Sequence, residues 1–467
     1  MDVKTDVAII GAGTAGLAAL AKVRKAGKHF VLIDGGELGT TCARVGCMPS
    51  KVAIQVAEDF HRRHRFERIG IEGRDALRLD SAEAFEHVRD MRDIFVDRVL
   101  AGTTDEMGEA FIEGSARFIE QTVLDVDGRV VRADKIVIAT GSRPFVPDAW
   151  ESFGDRILTS DNIFEQKTLP DSVAVIGLGA IGMELGQALH RMGVSTTGVD
   201  RLENVCGLSD PRIAQTAMEV IGKEFPLWLG HAADVVAEGG GLRVASGERS
   251  VVVEKILASL GRVPNVDGLG LEALDVALDG RGVPVFDPHT MQVGTLPVFI
   301  AGDVTGSEAI LHEASHEGRI AGVNAANDPI RGFRRLTPLN IAFCDPNIAS
   351  VGAPWRDLDE NNTAVGEIRF GPVGRALIMG SNRGMLRVYA ERGTGKLLGA
   401  SMVAPRGEHL AHLIAWAIER GLTAIDLLRV PYYHPAIEEA LQGALHGLLD
   451  DLGTSFPDSP ELQPLIS

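Results

Sequence analysis

The sequence predicts an α/β protein in which two related domains, each built on a parallel sheet, precede a C-terminal α+β domain. Two stretches repeat one pattern: an apolar strand, the spacing GxGxxG, a helical segment and a second strand ending in Asp. They are "DVAIIGAGTAGLAALAKVRKAGKHFVLID" and "SVAVIGLGAIGMELGQALHRMGVSTTGVD". After about residue 337, alternating strands and amphipathic helices favour a separate domain. The predicted domains are residues 1–148 with a return segment at 265–336, residues 149–264, and residues 337–467.

The repeated segments have the spacing of a nucleotide-binding βαβ unit. The first glycine allows a tight turn, the second lets the backbone approach a pyrophosphate, and the third lets the helix pack on the strand. An acid then follows 23 residues after the first glycine, where a carboxylate can bind a ribose. The residues are Gly11, Gly13, Gly16 and Asp34 in the first copy, and Gly177, Gly179, Gly182 and Asp200 in the second. Two Rossmann-like dinucleotide-binding domains are therefore predicted.

Composition and charge argue against nucleic-acid-binding, membrane-spanning and secreted classes of protein. The 467 residues carry a net charge of −18, which argues against a nucleic-acid partner. The basic run "HRRHRFER" at residues 61–68 is typical of a solvated helix face. The longest uncharged apolar stretch, residues 173–183, is too short for a membrane span of about 20 residues. The N-terminus lacks the pattern of a signal peptide, so we expect a cytoplasmic protein without a membrane partner.

Two of the four cysteines, Cys42 and Cys47, lie five residues apart. In a regular helix their Cα atoms would be roughly 8–9 Å apart, whereas a disulfide usually needs about 4.4–6.8 Å. A bridge therefore requires an interrupted helix, which Gly46 would ease, with Pro49 beginning a helix just afterwards. The residues leave three interpretations open: a zinc site, two inert thiols, or a redox-active pair. Zinc would need four ligands, and no spacing typical of a metal site is present.

The motifs together resemble the flavin-dependent pyridine nucleotide–disulfide oxidoreductases, and within that family the dihydrolipoamide dehydrogenases most. The segments that carry the resemblance follow the family's order over nearly the whole chain: GAGTAG, TCARVGCMPSK, IATG, GLGAIGMELG, LGRVPN, AGDVTG and YYHPAIEEA. The resemblance implies two cofactors, FAD and NAD, and a homodimer formed through the C-terminal domain. Spacing alone does not say which glycine loop binds which cofactor, because both cofactors contain an ADP half.

The resemblance assigns the cofactor sites by position. It implies an ion pair between Lys51 and Glu184 beside the flavin. Asp200 would favour NAD over NADP, because a carboxylate repels a 2′-phosphate. Asp303 would bind the ribityl chain, although an Asp that only forms a turn is the alternative. The implied FAD residues are Gly11, Gly13, Gly16, Asp34, Lys51, Ala116, Thr140, Gly141, Asp303 and Leu311; the implied NAD residues are Gly177, Gly179, Gly182, Glu184, Asp200 and Gly261.

The resemblance also implies a separate role for each catalytic residue. Cys42 would exchange with the substrate dithiol, and Cys47 would form the thiolate that faces the flavin. His434 would be the base and would approach the disulfide of the other subunit, with Glu439 rather than Glu438 as its carboxylate partner. The spacing also predicts that Pro435 occupies the first turn of the last helix.

The implied activity is oxidation of protein-bound dihydrolipoyl groups to lipoyl disulfide, with lipoyl-carrying proteins of a 2-oxoacid dehydrogenase complex as partners. Several residues around the cysteines and the base differ from the family pattern. The resemblance therefore does not identify the disulfide substrate. Arg44, one of them, would place a cation near the sulfurs. Glutathione-reductase-like and mercuric-reductase-like activities are the alternatives, together with a non-catalytic flavoprotein subunit. The departures are Gly39, Thr40, Thr41, Ala43, Arg44, Tyr432 and Tyr433.

Overall fold

The computed structural model describes residues 2–453, 459, 461–463 and 465, and these form five sheets, three large and two small, with helices packed on them. Most of the tail after Gly453, which the sequence assigns to the C-terminal domain, lies outside the described residues. The α-helices of the described part are α1 (Thr14–Lys25), α2 (Thr41–Arg44), α3 (Cys47–His61), α4 (Ser81–Ala101), α5 (Ala180–Arg191), α6 (Pro211–Ile221), α7 (Leu311–Ala326), α8 (Gly374–Met379), α9 (Gly407–Glu419), α10 (Ala424–Leu428) and α11 (Glu439–Leu452).

The N-terminal sheet holds the first glycine loop. Its central strand Val3–Ile10 pairs in parallel with the strands on both sides, and its last four residues are all buried. Burial on both faces explains why "VAII" is continuously apolar rather than alternating. The strands, in spatial order, are Phe111–Glu113, Phe30–Asp34, Val3–Ile10, Arg129–Ile138, Val123–Val126 and Ala116–Glu120; Val298–Ile300 also pairs with Arg129–Ile138.

The central sheet holds the second glycine loop and is fully parallel. Its strands, in spatial order, are Leu227–Trp228, Ser195–Val199, Ser172–Ile176, Lys255–Ala258 and Ile157–Leu158. An antiparallel meander covers one side and consists of Asp234–Glu238, Gly241–Ser246 and Arg249–Val253. A two-stranded ribbon, Ser142–Pro144 with Arg262–Pro264, connects this unit to the N-terminal sheet.

The C-terminal sheet is antiparallel, with α9 and α11 packed on it. The predicted α/β class with two dinucleotide-binding units and a C-terminal α+β unit is confirmed. The strand Thr363–Arg369 was not singled out from the sequence. The strands, in spatial order, are Leu339–Ala342, Asn347–Gly352, Leu397–Ala404, Met385–Glu391 and Thr363–Arg369.

A buried carboxylate joins the central unit to the C-terminal sheet. Asp210 has no exposed surface and caps α6 by accepting the N–H groups of Arg212 and Ile213. The same carboxylate accepts the hydroxyl of Tyr389 at 2.6 Å and pairs with Arg387. Because removing one partner would leave a buried charge unpaired, this contact holds the two units in one relative position.

Among the helices of residues 2–453, none is both long enough and apolar enough to cross a bilayer.

Candidate active site

Each glycine loop ends a buried strand and begins a helix. A Cβ atom at Gly11 would lie 2.3 Å from the carbonyl oxygen of Ala139, and one at Gly16 would lie 1.9 Å from the carbonyl oxygen of Gly11. The second copy repeats these approaches for Gly177 and Gly182 at 2.3 and 2.0 Å. A side chain at any of these positions would displace backbone, so the close packing requires glycine.

The middle glycines, Gly13 and Gly179, are different, because space lies beside them. A Cβ atom at either would meet no described atom within 4 Å. Each glycine is the N-cap of a helix, α1 or α5, and no side chain caps that helix. The free N–H groups of the first turn, together with the helix dipole, suit an anion such as a pyrophosphate. Both loops therefore fit a dinucleotide.

The acids at the strand ends are held by the glycine loops. Asp34 Oδ2 accepts the N–H of Ala12 at 2.6 Å, and Asp200 Oδ2 accepts the N–H of Leu178 at 2.6 Å. Each carboxylate also accepts the N–H group two residues further along, at 2.8 and 2.9 Å. These bonds fix both carboxylates beside the space at the middle glycine, which is where a ribose would lie.

Hydrogen bonds connect the turn after Ile138 to the segment that ends the central unit. The Thr140 hydroxyl donates to the carbonyl of Asn265 at 2.7 Å, and the Asn265 amide donates back to the Thr140 carbonyl at 3.0 Å. Gly141 takes a positive φ of 70°, and so does Gly261 on the opposite segment, at 98°. Asn265 was missed as a site residue, although it ends the LGRVPN segment.

Asp303 follows the returning strand and lies in a polar cluster. Its Oδ2 accepts the hydroxyl of Ser142 at 3.0 Å and lies 3.8 Å from Nε of Arg262. These two partners were not predicted, because they come from both strands of the connecting ribbon, more than 40 residues before Asp303. The cluster keeps the carboxylate oriented, so Asp303 is more than a turn former.

The remaining predicted FAD positions lie around the same sheet. Ala116 is buried at the start of its strand, and Gly114, two residues before it, donates its N–H to the carbonyl of Asp34 at 3.0 Å. Leu311 is exposed as the first residue of α7. It lines a cleft together with Thr14 of α1 and Cys42. The structure therefore brings the first glycine loop, α7 and the cysteine segment to one place.

The cysteine segment is an interrupted helix, as predicted. The short helix α2 carries Cys42 and ends at Arg44, and α3 begins at Cys47. Gly46 adopts φ −117° and ψ −119°, and a Cβ atom there would lie 2.9 Å from the carbonyl oxygen of Thr41. Helix α3 begins two residues before Pro49, which lies in its first turn. Both cysteines are free thiols, which corresponds to the reduced form of the pair.

The two thiols titrate differently. The hydrogen bond with Cys42 lowers the pKa of Cys47 to about 7, with Lys51 adding to this and burial opposing it. The same hydrogen bond and burial raise the pKa of Cys42 far above the usual value for a thiol. Cys47 therefore ionises before Cys42, and Cys42 keeps its proton when the pair carries one negative charge.

Arg44 does not act as the sequence suggested. Its guanidinium lies 2.9 Å from both the carboxylate and the carbonyl oxygen of Glu37. Lys51, and not Arg44, is the cation among the groups that shift the pKa values of Cys42 and Cys47, so the prediction that Arg44 supports a thiolate was wrong. The cation that acts on Cys47 is Lys51, one helical turn further along α3.

Lys51 is held by two groups from other parts of the chain. Its Nζ lies 2.7 Å from Oε2 of Glu184, whose side chain is 6% exposed, and 4.7 Å from the ring centre of Phe343. The N–H of Phe343 donates to Oε1 of the same carboxylate at 2.8 Å. Both oxygens of Glu184 thus have partners, as a buried carboxylate requires. Phe343 was missed because it lies 292 residues from Lys51 along the chain.

Opposite shifts of the Cys47 pKa are expected from changing Lys51 and Glu184. Lys51 lowers this pKa and Glu184 raises it. Lys51→Met should therefore raise the pKa by about one unit, and Glu184→Gln should lower it by up to about one unit. The measurement is the pH dependence of Cys47 alkylation by iodoacetamide in the reduced protein, followed by peptide mass spectrometry.

The double variant Lys51→Met/Glu184→Gln is the matched control for the two single changes. It removes both charges, so the pH midpoint of its Cys47 alkylation should lie between those of the single variants. It also leaves no unpaired carboxylate buried at position 184, which would destabilise the protein. Equal midpoints in all four proteins would show that this ion pair does not control the thiolate.

His434 and Glu439 form a hydrogen-bonded pair on the surface of the C-terminal unit. Nδ1 of His434 lies 2.8 Å from Oε1 of Glu439, while Oε2 of Glu439 accepts the N–H of Ala436 at 3.0 Å. The hydrogen bond with His434 lowers the pKa of the carboxyl of Glu439. Nε2 of the imidazole is left for an external group, and the His434 side chain is 79% exposed.

The predicted helix start in this segment was wrong. Helix α11 begins at Glu439, and Pro435 lies in the preceding turn. The physical reason is the carboxylate, which draws residues 434–436 into a turn around itself before the helix begins. Glu438 is only the N-cap of α11.

Comparison with known proteins matches this architecture. The sequence profile described as pyridine nucleotide-disulphide oxidoreductase matches residues 5–318, and the profile of that family's dimerisation domain matches residues 339–445. A dihydrolipoyl dehydrogenase from Thermus scotoductus is 30% identical over 463 residues, covering 95% of this chain and 97% of the relative.

Other relatives have different names. A mercuric reductase from Bacillus cereus is 27% identical over 448 residues, covering 94% of this chain and 71% of the relative. The crystal structure of LpdA from Mycobacterium tuberculosis superposes with a TM-score of 0.82 at 25% identity, covering 95% of this chain and 99% of that one. One architecture thus carries several named activities.

Proposed function

Since the chain belongs to the pyridine nucleotide-disulphide oxidoreductase family, we propose that it oxidises dithiols of the dihydrolipoyl type to disulfides and reduces NAD⁺ through FAD. The observation that carries the proposal is the unequal pair of thiols, in which Lys51 supports the Cys47 thiolate and Cys42 faces the cleft. The full-length similarity to a dihydrolipoyl dehydrogenase supports the choice of dithiol.

The proposed reaction begins with the disulfide form of Cys42 and Cys47. His434 accepts a proton from one substrate thiol, and the resulting thiolate attacks the sulfur of Cys42. This forms a mixed disulfide and releases Cys47 as a thiolate. The second substrate thiol gives up its proton and attacks the substrate sulfur of the mixed disulfide. The substrate leaves as a disulfide, and Cys42 leaves as a thiolate that takes a proton.

The electrons then leave the cysteine pair. When bound, FAD supplies the two-electron chemistry that links the pair to NAD⁺. The pair loses two electrons and the Cys42 proton and returns to the disulfide. The net change converts one dithiol and one NAD⁺ into one disulfide, one NADH and one proton. Lys51 lowers the pKa of Cys47 and so stabilises its thiolate form.

The cofactor sites proposed for this reaction follow the two glycine loops. FAD would be held by residues 1–148 and 265–336, with its pyrophosphate on α1 and Asp34 on a ribose. The NAD molecule would be held by residues 149–264, with its pyrophosphate on α5 and Asp200 on the adenosine ribose. The open space beside Gly13 and Gly179 supports both placements.

The proposed active unit is a homodimer. Within the described chain, the groups that shift the pKa values of Cys42 and Cys47 do not include His434. His434 is also largely exposed, on the unit that matches the family's dimerisation domain. His434 of the partner subunit would therefore serve this cysteine pair. The proposed setting is the cytoplasm, with a lipoyl-carrying protein of a 2-oxoacid dehydrogenase complex as substrate.

The test is turnover with a defined set of substrates. NADH formation from dihydrolipoamide and NAD⁺ by the flavin-loaded protein, followed at 25 °C without oxygen, is the expected result. Glutathione disulfide and Hg²⁺, each supplied with NADPH, are the competing substrates. Consumption of either one without NADH formation from dihydrolipoamide would contradict the proposal. No turnover with any of the three would favour a non-catalytic flavoprotein.

A further inference from the structure

A buried carboxylate on α7 holds the turn that carries Asp303. Glu317 is 3% exposed, and its Oε2 accepts the N–H of Gly302 at 2.8 Å. Gly302 directly precedes Asp303, the acid that the family resemblance assigns to the ribityl chain of FAD. The position of the Asp303 backbone therefore depends on where Glu317 holds this N–H group.

The same turn packs closely against the first glycine loop. Gly302 has a positive φ of 85°, and a Cβ atom there would lie 2.7 Å from the Cβ atom of Ala15. Ala15 is in the first turn of α1, whose N-terminus is the proposed pyrophosphate site. Because the two elements touch, a small shift of the turn would change the space that FAD would occupy.

Arg335 provides a positive charge beside Glu317. Its Nη2 donates to Oε1 of Glu317 at 2.8 Å and to Oε2 of Glu313 at 2.7 Å. Burial raises the pKa of the Glu317 carboxyl and the charge of Glu313 adds to this, whereas Arg335 lowers it. Without this guanidinium, the two neighbouring carboxylates would repel each other or take up a proton. Either change would weaken the hydrogen bond to Gly302, since a displaced or neutral acid is a poorer acceptor.

The other end of the guanidinium reaches a residue that binds the returning strand. Nη1 of Arg335 lies 3.7 Å from Sδ of Met291, whose carbonyl accepts the N–H of Ile300 at 2.9 Å. Ile300 is the last residue of the strand that leads to Gly302. One side chain therefore contacts two residues that accept N–H groups, one from the end of this strand and one from the turn after it.

Arg335 is itself held between two units of the chain. It lies in the segment that joins α7 to the first strand of the C-terminal sheet. Thr337, two residues later, donates its N–H and its hydroxyl to Oε2 of Glu419 on α9 at 2.8 and 2.7 Å. The carbonyl oxygen of Arg334 lies 3.2 Å from Nε2 of His316 on α7. The backbone is therefore fixed on both sides of Arg335.

We propose that Arg335 is a positioning residue for the flavin, because it fixes the turn that carries Asp303 and so slows the release of FAD. It acts through Glu317 and Met291 rather than by contact with the flavin. This inference rests on the proposed placement of FAD on the first glycine loop. It adds that retention of the flavin depends on a residue from the segment that enters the C-terminal unit.

Release of FAD from the flavin-loaded protein tests the inference. The protein is held at 25 °C, free FAD is removed by continuous diafiltration, and the flavin absorbance that remains with the protein is followed. Arg335→Gln should release FAD about tenfold faster, because hydrogen bonds between charged groups are lost. Arg335→Lys should have an intermediate rate, since an ammonium group keeps the charge but not the planar fork. Far-UV circular dichroism at the same temperature measures whether each protein remains folded.

Two further variants show whether the effect passes through Asp303. Asp303→Asn removes the carboxylate itself and should release FAD at least as fast as Arg335→Gln. If Arg335 acts by positioning Asp303, adding Arg335→Gln to Asp303→Asn should accelerate release by at most about twofold, rather than by about tenfold. Arg334→Gln is the matched control, because this neighbouring cation is exposed and lies 3.6 Å from Oε1 of Glu419. It should release FAD at the normal rate.

The outcomes distinguish positioning from other roles. Normal release from both Arg335 variants, with faster release from Asp303→Asn, would overturn the inference. Effects that multiply in the double variant would also overturn it, because Arg335 would then act independently of Asp303. Faster release that accompanies loss of the circular dichroism signal in both Arg335 variants would leave Arg335 a purely structural role.

Failure of the flavin placement gives a different result. Normal release from Asp303→Asn would reject that placement and the inference with it. None of these measurements uses a dithiol, so the proposed oxidation stands or falls separately, by NADH formation from dihydrolipoamide.

Discussion

Cys47→Ser is expected to reduce NADH formation from dihydrolipoamide by at least about 10³-fold. A serine oxygen cannot form the disulfide that the substrate thiolate attacks, so both electron transfer steps are lost. The variant should also lose the long-wavelength absorbance that a thiolate beside the flavin produces when NADH reduces the protein. Stopped-flow spectra and steady-state rates measure the two effects together.

Cys42→Ser is the matched control, since it removes the other sulfur by the same substitution. Turnover should fall equally, but the long-wavelength absorbance should remain. The serine hydroxyl can still donate a hydrogen bond to Cys47, and Lys51 still lowers the pKa of that thiol. Loss of the absorbance from Cys42→Ser with its retention in Cys47→Ser would reverse the roles assigned to the two sulfurs.

Features that depend on local spacing could be predicted from the sequence. The glycine loops, the acids at the strand ends and the interrupted helix at the cysteines each involve residues near one another or a repeated pattern. Gly46 is an example, because it lies close to the carbonyl of Thr41, which is only five residues earlier in the chain. Steric constraints of this kind involve residues that are close along the chain, so they can be predicted from the sequence.

Features made by distant segments could not be predicted in the same way. Lys22, Arg98 and Arg319 meet at one cleft although 297 residues separate the first from the last. No pattern in a single sequence relates them, because their proximity depends on how α7 returns to pack on α1. Phe343 against Lys51 has the same origin.

The two wrong predictions also have physical causes. Arg44 is near the cysteines along the chain, but a charge acts through space, and the Arg44 guanidinium pairs with Glu37. The predicted start of α11 depends on the preference of proline for a first helical turn. That preference is weaker than the two hydrogen bonds that Glu439 accepts from residues 434–436.

His434→Gln is expected to lower kcat/KM for dihydrolipoamide at pH 7 by about 10²- to 10⁴-fold, since general base catalysis is lost. The loss should shrink as pH rises, because a substrate thiol with a pKa of about 8.5 then ionises without a base. Glu439→Gln should cost less, about tenfold, because its amide oxygen can still orient the imidazole. The measurement is kcat/KM between pH 6 and 9 for the three proteins, and a loss that is independent of pH would contradict the role of base.

Mixed dimers test whether His434 serves the partner's cysteine pair. Homodimers of either the Cys42→Ser or the His434→Gln protein should each have at most about 1% of the normal activity at pH 7. If the site spans two subunits, a mixed dimer contains one intact site, formed by Cys42 of one chain and His434 of the other. Random reassortment should then restore about a quarter of the normal activity, because half the dimers are mixed and each has one working site. If His434 served the cysteines of its own chain, every site in the mixture would lack one of the two groups, and no activity would return.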